Sequence, residues 1–387
     1  MVKSISLLLP IYVTLMWALV FLLKRNSPVR ANKVLGLFML AATLLYCSHA
    51  VFFHQFYHLY SFIDSLYLLT LLSLYPLFYG YILVLSTHEL NLKRFRLNFL
   101  PAFILALSSL ILTLVLSPEE RVMYVKEVLI SRNLKELNLF SITGIKGMVF
   151  LIARIAFIIQ SIVYLLIGIR LANRYNVWLH EYFSNTEGRR MKWVRDISII
   201  ILVVSIAGIV FSLIGRSYFA HKPVSLLIPS FLFSTIYFII GFNANQQEVL
   251  TENLVEFNTE NEPKEPVHGQ VSILKEKLLE LFENEKIYTQ TDLRITTLCE
   301  VLQTNRTYLS RLINVEFGMN FNEFVNHYRV REAEKLLSSD EHKSYTLEYI
   351  AEEAGFGTSN SFSRAFKEFN GITPGQYRKD DSQQKSS

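Results

Sequence analysis

Seven apolar runs occupy most of the first 242 residues, at about 4–23, 31–53, 59–85, 99–116, 146–169, 197–214 and 224–242. A helix needs roughly 20 apolar residues to cross a bilayer core about 30 Å thick. Each run is close to that length and apolar around most of its circumference, whereas a helix at the edge of a soluble core keeps a polar face. Spread evenly, the 51% hydrophobic share of these 387 residues would be near ordinary for a globular protein. The constraint comes from its segregation, because beyond Asn243 the chain turns charged and loop-punctuated. The expected architecture is all-α: a seven-helix transmembrane bundle joined to a soluble half. Cys47 and Cys299 fall in different halves and supply no disulfide framework. The N-terminus carries one lysine, Lys3, just before the first run and shows no small-residue cleavage pattern, so that run is expected to persist as a span.

The loops set the orientation, because positive residues stay cytoplasmic. One alternating set carries Lys24, Arg25, Arg30 and Lys33, then Lys93, Arg94 and Arg96, then Arg174, Arg189, Arg190, Lys192 and Arg195. The other set is poor in positive charge, apart from a mixed loop at 117–145. The N-terminus is therefore expected outside and, after seven crossings, the C-terminus in the cytoplasm, as in a multi-pass inner-membrane protein. Four polar residues within these spans are candidates for an intramembrane signal site: His49, Asp64, Arg154 and Gln160. Arg154 reads equally as a side chain that snorkels or ties two helices together. His54 and His58 are four apart but have no third ligand in sequence, so no metal and no cofactor is expected.

The organisation expected along the chain is a bundle at 1–242, an acidic linker at 243–270, a soluble domain at 271–380 and a disordered tail at 381–387. Leu250, Leu254 and Phe257 share helical spacing, and Pro263 and Pro266 end that helix. What remains of the linker would act as a flexible tether of about 20 Å.

The soluble half repeats itself. Leu298-Cys299 matches Ile350-Ala351, and "YLSRLI" at 308–313 matches "SFSRAF" at 361–366. Gly318 follows Arg311 by the same interval at which Gly371 follows Arg364. Phe321 and Phe324 match Pro374 and Tyr377. Each copy reads as a short helix, a tight turn and a second helix ended by glycine, which is a helix-turn-helix motif. Gly355 can take the positive φ of the second turn, whereas Gln303 stands at the matching place in the first, where strain is expected. Between the copies, 321–337 lacks Pro and Gly. Its apolar stripe shifts from Phe321, Phe324, Val325 and Tyr328 to Val330, Ala333, Leu336 and Leu337, as suits a rod packed on both motifs.

With "IAEEAGFGTSNSFSRAFKEFNGITPGQYR" at 350–378, and "NRTYLSRLINVEFG" and "FVNHYRVREAEKLL" before it, the region from about 271 to 379 resembles the DNA-binding domain of the AraC/XylS family of bacterial transcription regulators. The resemblance implies two helix-turn-helix subdomains joined by a linker helix. It implies base-facing positions at Thr307, Ser310 and Arg311 and at Ser359, Asn360, Ser363 and Arg364. Asn305, Arg306, Thr358 and Lys367 are expected at phosphates. Arg to guanine and Asn to adenine are the favoured pairings, although Arg311 and Arg364 are open to a phosphate-only role. No acid lies in 301–315 or 354–367, while acids outnumber Lys plus Arg over 271–387, so the positive charge of the reading helices is segregated from the acids.

The expected function is a membrane-embedded one-component transcription regulator. Its partners would be promoter duplex DNA, the bilayer, a small-molecule or membrane signal, RNA polymerase and a second copy. The alternative is a membrane transporter with a regulatory DNA-binding appendage, which an odd span number disfavours. No nucleophile, His-rich or Asp-rich constellation marks an enzyme.

Overall fold

The computed structural model describes residues 2–24, 30–87, 91–131, 140–186, 223–246, 268–339 and 345–384, with scattered positions between 194 and 218. They divide into two compact units. The first comprises Met1–Asn173 and Met191–Val255; the second comprises Arg174–Arg190 and Glu256–Ser387.

In the first unit the helices are α1 (Val2–Leu23), α2 (Arg30–Phe53), α3 (Tyr57–Thr87), α4 (Leu92–Arg96), α5 (Leu100–Val115), α6 (Pro118–Met123), the start of α7 (Ile142–Tyr182) and α8 (Leu227–Gln246). Among the described residues, six stretches are long and apolar enough to cross a membrane: Val2–Leu23, Ala31–Phe53, Tyr57–Ser86, Leu92–Val115, Ile142–Tyr182 and Val224–Gln246. They coincide with six of the seven expected runs. The run at 197–214 lies almost wholly outside the described residues, as does most of the expected linker, including Leu250, Leu254 and Phe257. Helices α1, α2, α3 and α5 pack in sequence, and α8 returns against α1. A hydrogen bond of 3.0 Å from Thr43 to Thr14 ties α2 to α1. Outward faces stay apolar, with Phe103, Ile104 and Ile111 exposed on α5 and Ile152, Ile155 and Ile159 on α7.

The second unit contains α9 (His268–Glu283), α10 (Ile295–Leu302), α11 (Arg306–Phe317), α12 (Phe321–Ser338), α13 (Leu347–Glu353), α14 (Ser359–Asn370) and α15 (Pro374–Gln384). It has two cores. Phe282, Leu298, Leu309, Ile313, Phe321, Phe324 and Val325 build the first; Val330, Ala333, Leu337, Ile350, Phe362 and Phe366 build the second. Helix α12 serves both, and its stripe changes sides at Arg329, as its sequence predicts. A capping box between Asn320 and Glu323 starts this rod of 18 residues, about 27 Å long.

Two boundaries differ from expectation. Helix α7 runs 41 residues, well past 169, and its end belongs to the second unit rather than to a free loop. No Pro or Gly interrupts the chain between Gly168 and Gly188, and Phe183 finds burial there at 1% exposure. The tail expected to be disordered from 381 opens as helix, because α15 continues to Gln384 through residues that include no helix breaker.

Candidate functional site

The two reading helices share one build. Asn305 caps α11 by accepting the Tyr308 N–H at 3.0 Å. Thr358 caps α14 by accepting the Ser361 N–H at 3.1 Å. Each helix ends at a left-handed glycine, Gly318 with φ 67° and Gly371 with φ 76°. The caps leave one apolar face turned inward, with Leu309, Leu312 and Ile313 on α11 and Phe362, Ala365 and Phe366 on α14. The opposite face carries the residues expected to meet DNA. Asn305, Thr307 and Arg311 are exposed, with Arg306 and Ser310 half-buried. In the second copy Thr358, Asn360, Arg364 and Lys367 are exposed, with Ser359 and Ser363 half-buried. Past the reading helices, the matched aromatics Phe324 and Tyr377 both pack back onto them, Phe324 on Phe317 at 4.7 Å and Tyr377 on Phe366 at 5.3 Å, although through non-equivalent partners.

The turns are made unequally. Gln303 sits at φ 51°, a left-handed conformation that costs a non-glycine residue about 1–2 kcal/mol. Gly355 takes φ 88° without that cost, and a second constraint was invisible in sequence. A Cβ at Gly355 would lie 2.6 Å from both Thr289 Cα and Tyr288 O, so the second turn presses on the backbone of the first subdomain.

Arg329 sits at the centre of this junction with 1% exposure. Its Nε donates to Tyr288 O at 2.7 Å, and its Nη2 donates to Gln290 O at 2.7 Å and Thr291 O at 3.3 Å. The guanidinium lies 5.7 Å from the Phe356 ring centroid, in the second core. One buried side chain thus joins both subdomains. Burial lowers its pKa to about 9, which leaves it charged at neutral pH. Nearby, Glu332 accepts from Lys286 at 2.6 Å, and Asn370 donates to Glu334 at 2.6 Å, fastening α12 to the end of α14. The resemblance did not single out Arg329, and its position at the crossing of two apolar half-stripes, between Tyr328 and Val330, was the available signal.

In the first unit, Asp64 is fully buried and faces Lys146 at 3.7 Å, with that lysine 1% exposed. Ser109 and Tyr124 donate to Asp64 Oδ2 at 3.3 and 3.4 Å, and Lys146 donates to Thr113. A π-helical segment, Tyr124–Ser131, begins at the tyrosine; such segments recur at functional sites. Of the other predicted intramembrane residues, Arg154 lies over Phe150 at 5.9 Å and His49 among the rings of Tyr46, Phe53 and Tyr67. Gln160 is buried, its Oε1 without a hydrogen-bond partner. Sequence reasoning missed Lys146, which it placed at the edge of a span. Its charge opening an apolar run was the clue.

A family profile described as a helix-turn-helix domain matches residues 298–380. YtdP of Bacillus subtilis (strain 168), an uncharacterized HTH-type transcriptional regulator, is 34% identical over 89 residues, which are 23% of this chain and 11% of that protein. YfiF of the same strain, also an uncharacterized HTH-type transcriptional regulator, is 30% identical over 115 residues, or 30% of this chain and 34% of its own. The chain thus spans about a tenth to a third of these relatives' length. Among solved structures, the C-terminal domain of AraT, a response regulator from Geobacillus stearothermophilus, is 32% identical, covering 28% of this chain and 83% of that one at a TM-score of 0.24. The C-terminal domain of the two-component response regulator yesN from Fusobacterium nucleatum is 33% identical, covering 26% and 98% at a TM-score of 0.24. With its duplicated capped helices, its linker rod and the family profile over residues 298–380, the C-terminal part of the chain carries an AraC-type helix-turn-helix domain, preceded in sequence by a region of apolar helices.

Proposed function

We propose that the chain is a membrane-embedded one-component transcription regulator, its apolar bundle in the cytoplasmic membrane with the N-terminus outside and its AraC-type domain reading promoter DNA in the cytoplasm. One observation carries the DNA half: α11 and α14 each bury one apolar face and carry Thr, Ser, Asn and Arg on the other, near an acid-free helix N-terminus. Thr307, Ser310, Arg311, Ser359, Asn360, Ser363 and Arg364 reach base edges in this reading. Asn305, Arg306, Thr358 and Lys367 hold phosphates, with backbone N–H groups at the helix starts assisting.

The test uses the full chain in lipid nanodiscs, selecting from a pool of random-sequence duplexes. The wild type should enrich a defined sequence. Arg364→Ala should cost about 1–3 kcal/mol and blur a single base position. A uniform loss over all sequences makes Arg364 a phosphate contact, and no enrichment by the wild type ends the DNA-binding reading.

The apolar outer faces of α5 and α7 support residence in lipid, and Asp64 with Lys146 is the proposed sensing element. A charge pair at this burial is costly to keep and sensitive to any ligand or field that favours one partner. Removing one charge would strand the other, so the informative variant neutralises both. Asp64→Asn with Lys146→Gln should hold the output of a reporter promoter at one level across growth conditions that shift it in the wild type. An output that still responds removes the pair from sensing.

A further inference from the structure

The residues just beyond α7 are built into the helix-turn-helix unit, although more than a hundred positions of sequence separate them from Leu293 and Arg294, which they meet there. Phe183 pairs as an antiparallel bridge with Arg294, whose guanidinium lies 5.5 Å from the Phe183 ring centroid. The Ser184 N–H donates to Leu293 O at 3.0 Å. Asn322, 6% exposed on the linker helix, donates to the carbonyls of Phe183 at 3.3 Å and Ser184 at 2.5 Å. Arg329 donates to Ser184 Oγ at 3.2 Å. Asn185 lies against Gly357, just before the second reading helix, where a Cβ would come within 2.6 Å of its Nδ2.

The segment therefore touches the first subdomain, the linker helix and the turn that launches α14. Two buried polar side chains of the rod, Asn322 and Arg329, donate to it. The family match begins at residue 298, so these contacts are contributed by the other half of the chain. An unpaired amide at this burial costs free energy, so undocking the segment would leave the Asn322 amide without its two acceptors, while Arg329 would keep its carbonyl partners and lose only Ser184 Oγ.

We propose that residues 183–186 are a docked latch that braces the two reading subdomains against each other, so that DNA affinity depends on the state of the helix that carries it. This rests on the regulator reading above and names its route as the end of α7, whereas the sequence offered only the flexible tether at 243–270. Two motifs joined by one rod read two grooves only if their spacing is held, and the latch contacts the rod at its start, through Asn322, and at its middle, through Arg329.

Hydrogen exchange on the full chain in nanodiscs tests the docking, and the enriched duplex from the pool above tests the consequence. In the wild type the Ser184 amide should exchange slowly. Ser184→Pro removes that donor without altering any residue of the matched domain, and Asn322→Ala removes the reciprocal amide. Both should speed exchange across 183–186 by about tenfold or more while α14 stays protected, and both should weaken binding of the enriched duplex about tenfold. Released exchange with unchanged affinity would leave the segment as packing only and overturn the latch. Fast exchange of Ser184 in the wild type would show that it does not dock. A wild type that enriches no duplex overturns the DNA-binding reading and the coupling with it, while exchange still decides whether the segment docks.

Discussion

Arg329→Met should destabilise the second unit by about 2–3 kcal/mol, despite conserving most of the side-chain volume. Methionine fills the space but donates nothing, and the carbonyls of Tyr288, Gln290 and Thr291 lose their donor together. The lowered pKa of Arg329 reports the cost of burying its charge, which offsets part of the gain from these bonds. That offset is why the expected loss is smaller than a sum over the bonds. Lysine should rescue only in part, because an ammonium cannot reproduce the guanidinium fork that serves Nε and Nη2 acceptors at once. Hydrogen exchange of the α12 and α14 amides is the measurement, since the signal of the apolar helices would swamp circular dichroism. Protection equal to that of the wild type in Arg329→Met would mean that the junction is held by its two apolar cores alone.

Gly355→Ala should cost on the order of 3 kcal/mol, because two penalties coincide there. The residue holds φ 88°, and the added methyl would meet the Tyr288–Thr289 backbone, which cannot rotate away as a side chain can. Gly371 provides the control. It holds φ 76°, but a Cβ there meets nothing within 4 Å, so Gly371→Ala should show the conformational cost alone, about 1–2 kcal/mol. Chemical denaturation followed by exchange at α14 separates them. Equal losses at the two glycines would show that the close approach relaxes at no cost. The comparison also bears on DNA reading, because the approach of the Gly355 turn to Tyr288 helps set where α14 sits against the first subdomain.

Most of the second unit was legible beforehand, for reasons that are local. Glycines at Gly318 and Gly371 and the shifting stripe of α12 act within a few residues of themselves, whereas Asn305 and Thr358, expected only at phosphates, also proved to be the helix caps. The strain at Gln303 could be read from the repeat, because the same turn carries glycine in the other copy. Six apolar stretches were legible for a different reason, since length and hydropathy need no knowledge of neighbours. The pairing of Asp64 with Lys146 was not, because it joins helices whose register no local pattern specifies.

By itself, then, the sequence determined what each segment must become: helices apolar all round, and a duplicated motif whose turns, caps and buried faces repeat at matching positions. Only the tertiary structure decided which distant groups meet. It placed the carbonyls of Phe183 and Ser184 on Asn322, turned Arg329 into the shared donor of the junction, and brought the Gly355 turn onto the Tyr288 backbone. Periodicity and propensity act over a few residues of chain. Satisfying a buried donor depends on whatever acceptor the folded chain brings within about 3 Å.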